Sequence, residues 1–345
     1  MTLPSLHPEV SPIMPKGFFT QGVAVLLRSP VDLDQLAKAL SGFEIMKRVE
    51  GGETPEMFGP SLVVAYRPEV NGYASVDFYP SKWPDHMGDV KLEPMLLGAW
   101  SMGYFGPGAY PFGLERATGQ AWRWEGAAEA VAGHTAVLRL RTSYVFGAGE
   151  DAKIIPADWN PRDELMFLMR MVLALASLKE AICYFNPNGE VLLPFPALAE
   201  SLEHHAKHEL PPLDCWSNIR FFNLSETWFF MDCLDGHQLG LPDQEVAFPL
   251  SLADPGAVDG FIRNITLYLL QKGDVIKDGD TMDGPGGIKW QVKTFDSGMS
   301  DPPREVMRWL PCGVTDVPPA LLGLASQREA PVDSPPEKKP KWKFW

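Results

Sequence analysis

Prolines and glycines cut this chain into short apolar runs, and that punctuation constrains its fold more than any other feature. The 345 residues include 33 prolines and 31 glycines. Every apolar run ends well short of the ~18 residues that mark a membrane-spanning helix. The runs change between the two-residue period of strands and the 3.6-residue period of helices. Many turns between short elements are therefore predicted, and no membrane span. A hydrophobic fraction of 45% and a charged fraction of 21% are those of a globular chain with core enough for two domains or one large one.

Gly22 to Arg28 reads as a buried strand. Ser29-Pro30-Val31-Asp32 then starts a helix with apolar spacing from Leu33 to Leu40. Strands are expected at Ser61 to Tyr66 and Gly72 to Tyr79, the latter alternating Tyr73, Ser75 and Asp77 against Ala74, Val76 and Phe78. Helices follow at Val90 to Tyr104 and Leu114 to Trp124, with Trp122 and Trp124 as large apolar anchors. A second round opens with a strand at His134 to Val145 and the helix Arg162 to Glu180. Strands Ala181 to Phe185 and Val191 to Leu193 flank Asn186-Pro187-Asn188-Gly189, a hairpin signal. Phe195 to Glu209 is helical, Ile219 to Leu224 and Thr227 to Met231 are strands, and Gln244 to Pro249 is another. Asp254-Pro255 opens a helix to Gln271, and Ile288 to Phe295 closes the domain.

The order strand–helix–strand–strand, met twice, predicts an α+β fold. Its sheets should be mixed and mainly antiparallel, with helices packed on one face, in two related units. Residues 1–17 are expected to be an extended arm, 18–130 the first unit, 131–325 the second, and 326–345 a disordered Pro/Lys/Trp tail.

A net charge of -14 excludes a general nucleic-acid binder, which needs a basic field. The tail holds Lys338, Lys339, Lys341 and Lys343, so the body is more acidic than the total. Such a body would attract a basic partner. Cys183, Cys215, Cys233 and Cys312 form no C-x-x-C pair. Buried free thiols in a reducing compartment are expected. The first residues lack the order of a signal peptide, so a cytoplasmic location is expected.

Candidate chemistry is sparse. Lys277 to Gly287 carries Asp278, Asp280 and Asp283 among four glycines, and several carboxylates in one loop suit a hard cation. The alternation of an EF-hand is missing, and Lys289 stands where its closing Glu belongs. A helix-to-strand turn whose Asp side chains bond local amides is the simpler expectation. His204 and His208 lie one helical turn apart and would offer two imidazoles to a transition metal. Leu198 and Leu202 should be buried on that helix, leaving the histidines exposed. No nucleophile elbow, P-loop or zincin motif occurs. Glu164 and Glu190 would form an acid–base pair only if the fold joins them, and a carboxylate at a helix start, such as Asp163 or Glu164, is usually a cap. Tyr104, Tyr110, Phe112, Trp122 and Trp124 flank a Gly/Pro-rich loop, and Trp342, Phe344 and Trp345 end the chain among lysines. Rigid aromatics of this kind suit an interface.

Several motifs in order carry a resemblance. They are the strand at His134, the helix with Glu164 and Leu165, and Tyr184-Phe185-Asn186-Pro187-Asn188-Gly189-Glu190. Pro211-Pro212-Leu213-Asp214, Trp216-Ser217-Asn218, Gly240 to Phe248 and Asp278-Gly279-Asp280-Thr281 continue it. From His134 to Asp296 the chain resembles the bacterial domain of unknown function 4261; it departs from that pattern in the added Asp283-Gly284-Pro285-Gly286-Gly287. The resemblance implies an intracellular α+β protein and transfers no catalytic residue. Members resemble proteins found near secretion and toxin–immunity loci. The expectation is a non-enzymatic protein-binding protein, immunity-like or accessory to a toxin or secretion system, with a basic toxin or secretion component as partner and no cofactor. The alternative is a metal-dependent hydrolase using the Asp278–Asp283 loop or the His204/His208 pair.

Overall fold

Two sheets carry the fold of the computed structural model, which describes residues 18–148, 154–234 and 236–323. The expected arm and tail, with Trp342, Phe344 and Trp345, lie outside the described residues. The first half runs β1 (Gln21–Leu27), α1 (Leu33–Ala39), β2 (Ile45–Val49), α2 (Pro55–Phe58), β3 (Ser61–Arg67), β4 (Gly72–Tyr79), α3 (Pro94–Ser101), α4 (Gly113–Gln120), α5 (Ala127–Gly133) and β5 (Ala136–Ser143). It continues with α6 (Pro161–Leu175), β6 (Ala181–Asn186) and β7 (Val191–Pro194). The second half runs α7 (Phe195–Lys207), α8 (Leu213–Trp216), β8 (Asn218–Asn223), β9 (Trp228–Leu234), α9 (Gly236–Leu239), β10 (Asp243–Pro249), α10 (Pro255–Lys272), β11 (Thr281–Asp283), β12 (Lys289–Phe295) and β13 (Val306–Pro311).

The first sheet has the order β2-β3-β4-β5-β1-β6-β7 and is antiparallel throughout. The second has the order β11-β12-β13-β10-β9-β8, antiparallel except where β10 runs parallel to β13. This is the expected α+β architecture. Both sheets follow one plan. A strand (β1 or β10) leads through a helix to a meander that returns beside it, and a hairpin (β6–β7 or β8–β9) flanks its other side.

Local chemistry explains the elements. β1 is a continuous apolar run because both of its faces are buried, Val23, Val25 and Leu27 on one and Ala24 and Leu26 on the other. Asp32 and Gln35 close a capping box on α1. Asn160 and Asp254 accept from the first amides of α6 and α10, each with proline in the first helical position. Inner-face residues of both sheets, with α1, α6 and α10, share one core that includes Trp290 and Trp309. α3, α4 and α5 cover part of the outer face of the first sheet. The two sheets join at the β6–β7 turn, where Asn218 N–H donates to the Gly189 carbonyl at 3.1 Å and Asn186 Nδ2 to Gln238 Oε1 at 2.9 Å. A Cβ on Gly189 would lie 1.8 Å from the Trp216 carbonyl oxygen, so only glycine fits there.

Several expectations differ from the structure. β5, β6 and β7 lie beyond the expected boundary at 130/131, yet they belong to the sheet of β1 to β4 because β1 sits between β5 and β6. Ile288 to Phe295 does not close the second sheet, since β13 inserts between β12 and β10. The helix expected from Val90 begins only at Pro94, and Leu92 is 84% exposed. The helix expected through Trp124 ends at Gln120, and Trp122 is 75% exposed, no core anchor.

Candidate functional site

Among the described residues, the helices α3 to α5 leave the outer face bare over β2, β3 and β4, and that face is the floor of a groove of about 1130 Å³. Ser61 and Val63 of β3, Tyr73, Ser75 and Asp77 of β4, and Arg141 of β5 form the floor. Met46 and Phe58 wall it at the β2 edge, and Phe18 and Phe146 at the ends of β1 and β5. Met46, Phe58 and Phe18 are each about half exposed. A large concavity with apolar walls and a few convergent polar groups is the usual form of a binding site.

The polar groups on the floor come from strand register. Arg139 lies opposite Asp77, and Arg141 opposite Ser75. All four side chains are buried. Asp77 serves both arginines: Arg139 Nε donates to Oδ2 at 3.0 Å and Arg141 Nη2 to Oδ1 at 2.6 Å. The two arginines are not equivalent. Arg139 also donates Nη1 to the Glu56 carbonyl at 2.7 Å and Nη2 to the Pro55 carbonyl at 2.9 Å, which ties α2 to the sheet. Arg141 is held between the rings of Phe19 and Tyr104, 4.3 and 4.6 Å from their centroids. Its Nη1 reaches the Tyr104 carbonyl only at 3.4 Å, and its Nε has no partner. The Ser75 hydroxyl across the strand is also without a partner. Burial pushes the Arg141 guanidinium down to about 10, and Asp77 offsets only part of that.

The residues singled out in the sequence fall in several places. Tyr104 reaches the groove as one of the rings on Arg141. Tyr110 donates its hydroxyl to the Pro303 carbonyl, and Phe112 is exposed at a left-handed position before α4. Trp122 and Trp124 line a smaller cavity of about 490 Å³ together with His204. His205 in that cavity neighbours Ser201 and Asp214, but the trio has the wrong order for nucleophilic catalysis. Ser201 donates to Asp214 Oδ2 at 2.7 Å, and His205 Nδ1, 2.8 Å from the Ser201 carbonyl and 3.3 Å from its hydroxyl, donates to that carbonyl, so the imidazole does not serve as base to the hydroxyl. Burial pushes the neighbouring Cys215 thiol up to about 12, far from a reactive thiolate. His204 on α7 and His208 at its C-terminal cap are both exposed, with ring centroids 4.4 Å apart.

In the Lys277–Gly287 turn each carboxylate has its own neighbour. Asp278 Oδ1 accepts from Thr294 N–H at 2.8 Å, Asp280 Oδ2 from Lys277 N–H at 2.8 Å, and Asp283 pairs with Lys289 at 3.2 Å. Among the described residues, no group of three or more His, Cys, Asp or Glu side chains is placed to hold a metal ion. Glu190 and Glu164 sit in separate clusters. Arg116 grips Glu190, with Arg220 3.6 Å away, in a chain of ion pairs that continues through Asp232 and Arg304 to Asp243. Glu164 is not a cap: its side chain is fully buried, accepts from Thr20 Oγ1 at 2.9 Å, and leaves Oε2 without a partner. Burial pushes its carboxyl up to about 7, against the pull of Tyr144 and Trp159 beside it.

Sequence reasoning missed Asp77, Arg139 and Arg141 as a site. Their signal was present in Val137-Leu138-Arg139-Leu140-Arg141, where two arginines share the face that elsewhere carries Val137. Two buried charges of one sign on a strand require an acid on the neighbouring strand.

The fold and groove together define a two-sheet α+β protein with one half-covered sheet face. Residues 237–310 match the family model described as a domain of unknown function (DUF4261). The matched segment runs from α9 to β13, so it overlaps the C-terminal part of the stretch from His134 to Asp296 that carries the resemblance and extends past it. No curated protein and no solved structure matches the chain.

Proposed function

We propose that this is a non-enzymatic protein-binding protein whose interaction surface is the groove over β2 to β4. The single observation that carries the reading is the sheet face with apolar walls that the described residues leave bare, because a strand face left open beside a covered one exposes area that a partner would bury. The ionised groups point the same way. Of the strongly buried carboxylates, Asp77, Glu190, Asp232 and Glu245 are held by arginines, and Glu164, which has no arginine, is closed in under Thr20 away from the groove. A metal-dependent hydrolase built on Asp278, Asp280 and Asp283 or on His204 and His208 has less support, since the three carboxylates bond separate local groups. The family resemblance suggests the concrete form: an immunity-like or accessory protein of a toxin or secretion system. The cytoplasm suits it, with Cys183, Cys215 and Cys233 buried and in no disulfide. No helix among the described residues is long and apolar enough to cross a membrane.

The test is affinity capture in the source organism with the full chain and with Ser61→Trp, which fills the groove floor. A protein retained by the parent and lost from the variant, then bound again by the purified parent in calorimetry, is the expected result. Equal retention by both chains would remove the groove from the reading.

A further inference from the structure

Arg141 is the feature of the groove that apolar docking alone does not explain. A guanidinium buried to 4% exposure should have its donors satisfied and its charge matched. Arg139, one pair along the strand, has its donors satisfied. Arg141 does not, and neither arginine has a carboxylate of its own. Arg141 shares the one carboxylate of Asp77 with Arg139, so the floor holds two cations to one anion. Its Nε–H is unpartnered, and the rings of Phe19 and Tyr104 fix the plane in which that donor lies. The hydroxyl of Ser75, its register partner on β4, is unpartnered too. Side chains of such partners start about 5 Å apart, and both residues line the groove. Two buried donors and one unmatched positive charge, at the bottom of an apolar trough, are complementary to a carboxylate carried on an apolar body.

We infer that the groove selects an extended segment of its partner protein in which an Asp or Glu side chain is flanked by apolar residues, the carboxylate meeting Arg141 Nε and the Ser75 hydroxyl. This rests on the protein-binding reading above and names the chemistry of the segment. The apolar flanks bury against Val63, Met46 and Phe58. The carboxylate supplies the anion that the pair of arginines lacks, and a charge-assisted hydrogen bond of this kind is stronger than a neutral one. A basic segment is disfavoured, because it would bring a further cation to a floor that already holds an excess of one.

The probe is a display library of random linear peptides of about a dozen residues, selected against the full chain. Enriched peptides are then synthesised with Glu or Asp and with the matching amide. The expected result is an enriched acid between apolar residues, with the amide binding about ten- to a hundred-fold more weakly. Arg141→Gln should abolish the difference between acid and amide, and Ser61→Trp should abolish binding of both. If Arg141→Gln fails to fold, Ser75→Ala serves, with a smaller loss confined to the acid peptides. Peptides that bind in the groove without an acid preference, or with one that Arg141→Gln and Ser75→Ala leave intact, would overturn the inference and leave the docking reading standing. Absence of any peptide sensitive to Ser61→Trp would overturn the docking reading, and the inference with it.

Discussion

Asp77 is the one carboxylate shared by the buried Arg139 and Arg141, so its removal and the removal of Arg141 should have unequal effects. Asp77→Asn leaves two guanidinium groups without an anion and should cost about 3–5 kcal/mol. Arg141→Met leaves Asp77 paired with Arg139 and should cost less than about 1.5 kcal/mol. Urea denaturation of both variants decides, and equal losses would show that Asp77 is not the shared anion. Glu164 gives a second test at this scale. Its folded pKa of about 7 lies above the ordinary 4.5, so the folded state holds the proton more tightly than the unfolded one. The stability it contributes is complete below about pH 4.5 and is lost as pH rises through 7, a fall of roughly 3 kcal/mol. Glu164→Gln should flatten that fall in a series of melting curves from pH 5 to 8. A slope unchanged from the parent would rule out Glu164 as its source. Neither residue's environment was legible in sequence. The alternation placing Tyr73, Ser75 and Asp77 on one face was readable, but which face stayed bare depended on where α3 to α5 settle.

The elements were legible where the local signals agree. α10 announced itself through Asp254-Pro255 and its apolar spacing, and the β6–β7 hairpin through Asn186-Pro187-Asn188-Gly189. β13 was not, because Arg308 makes its apolar run look half polar. In the sheet that charge is buried against Glu245 on β10, a partner over sixty residues away. β2 hid for a similar reason, with Lys47 and Arg48 exposed on an edge strand, where charges are common. The β6–β7 turn carries the test at this scale. A Cβ on Gly189 would fall against the carbonyl oxygens of Trp216 in α8 and Leu234 in β9, so Gly189→Ala must move backbone there. A loss above about 3 kcal/mol is expected, beyond the usual range for a surface turn. Thermal unfolding measures it, and a loss within about 0.5 kcal/mol would mean that the contact between the sheets is not close.

At the scale of the whole molecule the net charge of -14 opposes the groove's own preference. An acidic segment is repelled by the body at long range and held by Arg141 at short range. Added salt screens the first effect more than the second. The association rate of an acidic peptide should therefore rise between low and physiological ionic strength, the reverse of ordinary complementary charge. Stopped-flow measurement tests this, and a falling rate would mean that the groove's local field dominates the approach. Pairing order was the least legible feature at this scale, since hydrophobic period finds strands but not their neighbours. The interior place of β1 has a consequence for biosynthesis. β1 leaves the ribosome well before its neighbours, which begin only at Ala136 and Ala181. The hairpin of β3 and β4 can form at once, while β1 remains unpaired until β5, more than a hundred residues further on, has followed it. A nascent chain of this protein therefore presents a bare apolar strand through that interval, and its demand on chaperones should be set by β1.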